Sequence, residues 1–276
     1  MRDLTKDSSL LAINSATVKS WTLEELVEGC VRAGITAIAP WRDIVQAAGV
    51  QKAGNMIRAA GLTVSCYCRA GLFPAADEAG RRAALDDNRR AVDEAAAIGA
   101  RSVVLIAGGL PKDSKDLAGA HQQVHDGIAE LLPYAREAGV LLAIEPLHPM
   151  YAADRACVNT LAHANDLCDQ LGDGVGLAVD VYHVWWDPDL AAQIARAGKR
   201  ILTYHVCDWL VPTRDLLLDR GMPGDGVIDL RTIRTMVEAT GYNGPIDVEI
   251  FSAQNWWKRE PSEVLRICLE RHQTVV

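Results

Sequence analysis

LLAIEPLHP, residues 141–149, sets four apolar residues, Leu141 to Ile144, before a carboxylate, Glu145, and then turns the chain at Pro146. Such a run reads as a strand buried on both faces, as in a parallel sheet. An acid at the tip of such a strand needs a reason, because an unpaired buried carboxylate is costly. The pattern recurs downstream. VGLAVD (175–180) ends in Asp180, ILTYH (201–205) ends in His205, and IDVEI (246–250) carries Glu249. Short apolar runs at 9–14, 36–41, 63–68 and 102–107 bring the strand candidates to eight.

Longer amphipathic stretches separate them, near 22–33, 50–60, 80–98, 117–138, 159–171, 188–198 and 229–240, with a last one at 261–274. Thr22 and Glu25 have capping-box spacing, Gly34 and Gly99 close helices, Asn159 or Thr160 caps another, and Pro261 opens the last. Eight strand–helix units in series predict an α/β fold, the (β/α)8 barrel, whose usual length is ~250 residues. An open doubly wound sheet is the alternative, disfavoured because no Gly-rich dinucleotide loop follows the first strand. Without a linker or low-complexity stretch, residues 1–276 are expected to form a single barrel domain.

The bulk numbers narrow the function. Net charge is −8, from 28 Lys and Arg against 36 Asp and Glu, and no basic run is present, so nucleic acid is not an expected partner. The longest apolar runs fall short of the ~18–20 residues of a membrane helix, and the N-terminus lacks a signal-peptide pattern. The 7 Cys are dispersed. Their one close pair, Cys66 and Cys68, would point to opposite faces of a regular strand. Reduced thiols and a cytoplasmic location are expected.

In a barrel the C-terminal strand ends share one mouth, and chemistry sits there. Four consecutive strands thus deliver Glu145, Asp180, His205 and Glu249 to one place. Three carboxylates crowded together repel one another and take up protons unless a cation joins them. Three carboxylates and one imidazole suit a divalent ion. Manganese is the expected one, with Mg²⁺ and Co²⁺ as alternatives and Zn²⁺ less favoured by an oxygen-rich set. His183, three residues past Asp180, stands above the site and is a candidate to orient a substrate hydroxyl. Six of the seven Trp, at 41, 185, 186, 209, 256 and 257, follow predicted strand ends, so Trp41 and Trp185 are candidates to pack on a sugar face. Arg42, Arg69 and Arg214 also follow strand ends. Two of them facing the mouth would favour an acidic sugar, and Arg69 and Arg214 are retained as substrate-binding candidates.

AIEPL (143–147), AVDVYH (178–183), YHVCD (204–208), GDGVID (224–229) and DVEIF (247–251) together resemble the xylose-isomerase-like barrel superfamily of sugar isomerases and epimerases. Its members include the ketose 3-epimerases, hydroxypyruvate isomerase and endonuclease IV. The resemblance implies that Glu145, Asp180, His205 and Glu249 bind the metal, that Glu145 and Glu249 also serve as the acid/base pair, and that His183 contacts substrate. Two positions depart from the ketose 3-epimerase pattern. Tyr151 stands where those enzymes have a second Glu, and Val211 where they have an Arg.

The implied activity is metal-dependent isomerisation or epimerisation of a keto-sugar through an enediolate. A lyase acting on an oxidised sugar, by decarboxylation or elimination, is the alternative in the same barrel. A non-catalytic sugar-binding barrel is a further one. The endonuclease reading is disfavoured because strands two to four end in PWRD, YCRAG and IAGG, without the expected His ligands. The expected partner is a small sugar, with no nucleic acid or membrane, and the resemblance adds a homodimer or homotetramer.

Overall fold

The eight expected strands all form in the computed structural model, which describes residues 2–276. They are β1 (Leu11–Asn14), β2 (Ala37–Ala39), β3 (Thr63–Val64) continued by β4 (Tyr67–Gly71), β5 (Ser102–Ile106), β6 (Leu141–Glu145), β7 (Val175–Asp180), β8 (Ile201–Val206) and, after the short pair β9 (Asp208–Trp209) and β10 (Arg220–Gly221), β11 (Ile246–Val248). Parallel pairing runs in the order β3-β2-β1-β11-β8-β7-β6-β5-β4. The two ends of this order, β3 and β4, are pieces of one broken strand. Both lean on β2 and the residues after it: Ser65 N–H donates to the Ile38 carbonyl at 3.0 Å, Cys68 N–H donates to the Pro40 carbonyl at 3.2 Å, and a parallel bridge links Trp41 with Cys68. The sheet thereby curls into a nearly closed (β/α)8 barrel.

The curl gives every strand an inside and an outside, and side chains alternate between them. Leu142, Ile144, Leu177, Val179 and Val248 join the layer packed under the helices. Ala143 and Ala178 instead share the inner cluster with Cys66, Cys68, Val104 and Ile106. Each large aliphatic buried outward stabilises by ~1.5–3 kcal/mol. Inward positions on β6, β7 and β8 are small or polar, and each of these strands carries a titratable residue at the mouth.

Helices begin and end where the local chemistry dictates. Thr22 and Glu25 form a complete capping box before Leu23–Ala33, which stops at Gly34 with φ 72°. Thr160, not Asn159, caps Leu161–Leu171, and the Asn159 amide instead donates to the carbonyls of Leu147 and Ala156. Outside the sequence expectation lie the helix Arg42–Ala48, the single turn Val181–Val184, the β9–β10 pair and the short 3-10 turns Ser15–Val18, Pro149–Tyr151, Gly198–Arg200 and Trp256–Lys258. All are too short to show a full hydrophobic period. The Cys66/Cys68 expectation is corrected. Their sulfurs lie 3.9 Å apart, because Cys66 falls in the break between β3 and β4, where strand alternation is interrupted.

At the end of β4, which still pairs with β5, one buried side chain meets both backbone groups of Gly71. Asn88 accepts from Gly71 N–H at 2.6 Å and donates to the Gly71 carbonyl at 2.7 Å while fully buried. Asn88→Leu removes both partners and leaves a buried donor and a buried acceptor unmet. The substitution is expected to cost ~2–4 kcal/mol, read as a shift of the urea unfolding midpoint.

Candidate functional site

The last inward residues of β6, β7 and β8, and the residue just past β11, converge at the mouth. One ligand-type atom from each of Glu145, Asp180, His205 and Glu249 lies within 4.8 Å of the others, and all four residues are buried. Register brings Asp180 beside His205 across β7 and β8. His205 Nδ1 lies 3.7 Å from Glu145 Oε1 and 3.8 Å from Glu249 Oε2. Glu145 Oε1 and His205 Nδ1 find no hydrogen-bond partner among the described residues. Buried polar atoms left in this state cost ~1–3 kcal/mol each. A divalent cation fits the set, since it would meet both orphaned atoms with donor types it accepts.

The carboxylates do not behave alike. Burial, and then the charge of Asp180, push the Glu145 carboxyl well above the usual range. Burial also raises Glu249. For Asp180, burial acts in the same direction, but the charges of Arg220, His183 and His205 and the Tyr182 N–H together outweigh it and hold the acid low. Arg220 Nη1 donates to Asp180 Oδ2 at 2.9 Å and to Glu249 Oε2 at 3.4 Å. Its guanidinium is held between aromatic rings, with Cζ 4.3 Å from the Tyr182 centroid and 4.9 Å from that of Phe251.

A polar chain beneath the mouth fixes the His205 ring. Ser65 donates to Asp247 Oδ1 at 2.7 Å and Thr203 Oγ1 donates to Asp247 Oδ2 at 3.0 Å. The Thr203 proton is thus used, so its oxygen accepts from His205 Nε2–H at 3.1 Å. Nε2 thus carries a proton, and Nδ1 is the ring nitrogen that faces the carboxylates. Histidines that ligate metals are commonly oriented in this way.

His183 is buried as well. Its Nδ1 accepts from the His148 N–H at 3.1 Å, which leaves the proton on Nε2, 3.6 Å from Asp180 Oδ2. Burial pushes its pKa down to about 3, so the ring stays neutral and remains a donor at neutral pH. The 3.3 Å approach of Arg220 Nη2 to Nε2 is therefore a contact between two donors.

These groups face a cavity of about 490 Å³, whose walls include Trp41, Arg69, Tyr151, Arg155, His183 and Arg220. Of the five residues expected to contact substrate, Trp41, Arg69 and His183 line it. Trp41 also donates from Nε1 to Glu249 Oε1 at 3.3 Å. Arg214 and Trp185 are corrections. Arg214 folds back onto Asp219 in an ion pair beside the loop, and Trp185 packs against Trp209 with centroids 5.6 Å apart. Arg42 is tied to Asp87 and Glu94. Tyr151 reaches the cavity wall, but its hydroxyl is spent on the Leu216 carbonyl at 2.6 Å. Sequence reading missed Arg220, on the two-residue strand β10, and Arg155, in the loop after β6. The Gly-Met-Pro-Gly stretch directly after Arg220 was the available signal that the chain turns there.

Comparison with known proteins agrees with this fold. Residues 27–268 match the xylose isomerase-like TIM barrel family, and the chain belongs to it. The inosose isomerase of Bacillus velezensis is 30% identical over 158 residues, a stretch covering 54% of this chain and 53% of that protein. The match thus spans about half the length of that curated relative. The crystal structure of protein SMc04130 from Sinorhizobium meliloti 1021 has 60% identity and a TM-score of 0.96, with 98% of this chain and 99% of that one covered. The IOLI protein, solved with a bound zinc atom, shares the fold at 21% identity and a TM-score of 0.84, with 96% and 97% covered.

Thr203→Val keeps the shape of the side chain and removes the acceptor for His205 Nε2–H. The expected outcome is ~10–100-fold weaker Mn²⁺ binding by calorimetry, with Thr203→Ser close to wild type.

Proposed function

We propose that this member of the xylose isomerase-like TIM barrel family is a divalent-metal-dependent isomerase or epimerase of a keto-sugar or sugar derivative, with Glu145 and Glu249 as its acid and base. The observation that carries the reading is the pair of buried, unpartnered atoms, Glu145 Oε1 and His205 Nδ1, among three carboxylates. The match to an inosose isomerase supports isomerisation over the lyase alternative. The zinc atom in the IOLI protein supports a metal in this type of barrel, although Mn²⁺ remains the ion that this oxygen-rich set favours.

Glu145, Asp180, His205 and Glu249 would hold the ion, which supplies Lewis-acid polarisation of the substrate carbonyl. The chain's own groups do the rest. One glutamate removes the proton alpha to the carbonyl. The other returns it, to the opposite face for epimerisation or to the neighbouring carbon for isomerisation. Their placement at rigid strand ends suits proton transfer, which needs heavy atoms within ~2.6–3.2 Å. His183 Nε2–H and the Arg220 guanidinium line the same cavity and meet the negative charge that develops on substrate oxygen. Trp41, Trp257 and Phe251 exclude water from its walls.

The test is incubation of the Mn²⁺-loaded protein in D₂O with a panel of ketoses and keto-acids of sugars, followed by NMR. Deuterium should appear at the carbon alpha to the carbonyl, together with an isomeric product. Glu249→Gln should slow this by ~10²–10⁴-fold, and chelation of the metal should abolish it. Release of carbon dioxide or an eliminated group would move the assignment to the lyase.

A further inference from the structure

Two of the three arginines lining the cavity have no carboxylate partner. Arg42, Arg214 and Arg220 each pair with carboxylates. Arg69 and Arg155 do not. Among the described residues no side-chain hydrogen bond or ion pair reaches either guanidinium. Both lie against aromatic walls of the same cavity, Arg69 Cζ 5.9 Å from the Trp41 centroid and Arg155 Cζ 5.5 Å from the Tyr151 centroid. Arg69 stands on β4 and Arg155 in the loop after β6, so two distant segments bring like charges to one wall. Neither side chain is free in solvent, since both are half-buried. Burial and then the charge of Arg155 make Arg69 easier to deprotonate, as expected of two guanidiniums sharing a dry wall. Asp154 lines the rim beside Arg155 but is exposed and makes no ion pair with it.

Two half-buried cations facing one cavity are unfavourable unless an anion joins them. The planar fork of guanidinium matches the paired oxygens of a carboxylate or phosphate. A neutral sugar would offer only hydroxyls and leave both charges unopposed. We propose that Arg69 and Arg155 form an anion subsite, so that the substrate carries a ketone at the Glu145–Glu249 end and a carboxylate or phosphate at the Arg69–Arg155 end. The proposal rests on the keto-sugar reading of this cavity. A volume of about 490 Å³ falls within the ~300–1,000 Å³ usual for small-molecule sites.

The experiment compares three ketoses that share one carbon skeleton: D-fructose, D-fructuronate and D-fructose 6-phosphate. Affinities for the Mn²⁺-loaded protein are measured by calorimetry at fixed ionic strength. At least one of the two anions should bind about tenfold tighter than D-fructose. Which one prevails tells carboxylate from phosphate. Arg69→Gln and Arg155→Gln should each remove about that tenfold preference and lower the affinity for D-fructose far less than that for the anions. Arg155→Lys should retain part of it. Equal affinity for all three ketoses overturns the subsite, and so does an equal loss for neutral and anionic ligands in the glutamine variants, or failure of both anions to bind. Deuterium uptake on the same samples separates this from the isomerase reading. Anion preference without exchange leaves the subsite and removes the isomerase. Exchange on D-fructose as fast as on both anions, with equal affinities, does the reverse.

Discussion

Three buried carboxylates around one imidazole are the constraint to which the rest of this structure answers. At ~4 Å and an effective dielectric of ~20, each like-charged pair costs ~4 kcal/mol, a large fraction of the ~5–15 kcal/mol by which a domain is stable. Proton uptake relieves it, as the raised Glu145 and Glu249 carboxyls show, and so does positive charge at the same point. Arg220 supplies one unit, bound to Asp180 and Glu249. Two negative charges remain, which is the charge a divalent ion balances. The two orphaned atoms, on Glu145 and His205, lie on the side that Arg220 does not reach. The fold therefore leaves a gap of defined charge and donor type at the mouth, and the proposed chemistry follows from filling it.

The barrel was legible because its strands obey two rules at once. Burial on both faces makes them apolar throughout, as in Leu141–Ile144, and closure makes every second residue face inward. The inward series Ala143–Glu145, Ala178–Asp180 and Thr203–His205 runs from small or uncharged residues to a titratable one. An acid that ends an apolar strand is thus the top of an inward column. What the sequence did not show was the break between β3 and β4. Nothing in TVSCYC signals that Cys66 leaves the strand and turns its sulfur toward Cys68 and His205.

The candidate site was legible in proportion to how rigidly the sequence ties a residue to a strand end. Glu145, Asp180, His205 and Glu249 needed only strand position. His183 needed one turn more and was still found. Arginine was misread, because its long side chain is directed by its partner and not by its place in the chain. Arg214 follows β8 closely and yet turns to Asp219, while Arg220, six residues further on, returns to the centre. Arg155 has no strand to mark it. Trp185 shows the same limit for aromatics, since it packs at a tilt against Trp209 and does not line the cavity.

The return of Arg220 joins two stretches that look unrelated in the sequence. Asp208, at the end of YHVCD, accepts from Trp209 N–H at 2.9 Å, Gly224 N–H at 2.9 Å and Ile228 N–H at 3.0 Å. One buried carboxylate thereby anchors the GDGVID segment back onto the end of β8. Asp225 in that segment accepts from Met222 N–H at 3.1 Å and from Trp256 Nε1–H at 3.0 Å, tying it also to the loop after β11. Between these anchors β10 pairs antiparallel with β9 and sets Arg220 opposite Trp209. Gly226 leaves no room for a side chain there, since a Cβ would stand 2.1 Å from the Trp209 carbonyl oxygen. Asp208, Asp225 and Gly226 touch no ligand-type atom at the mouth. Their work is to hold one loop so tightly that a flexible arginine behaves like a strand-end residue, and the charge balance at the mouth depends on that hold.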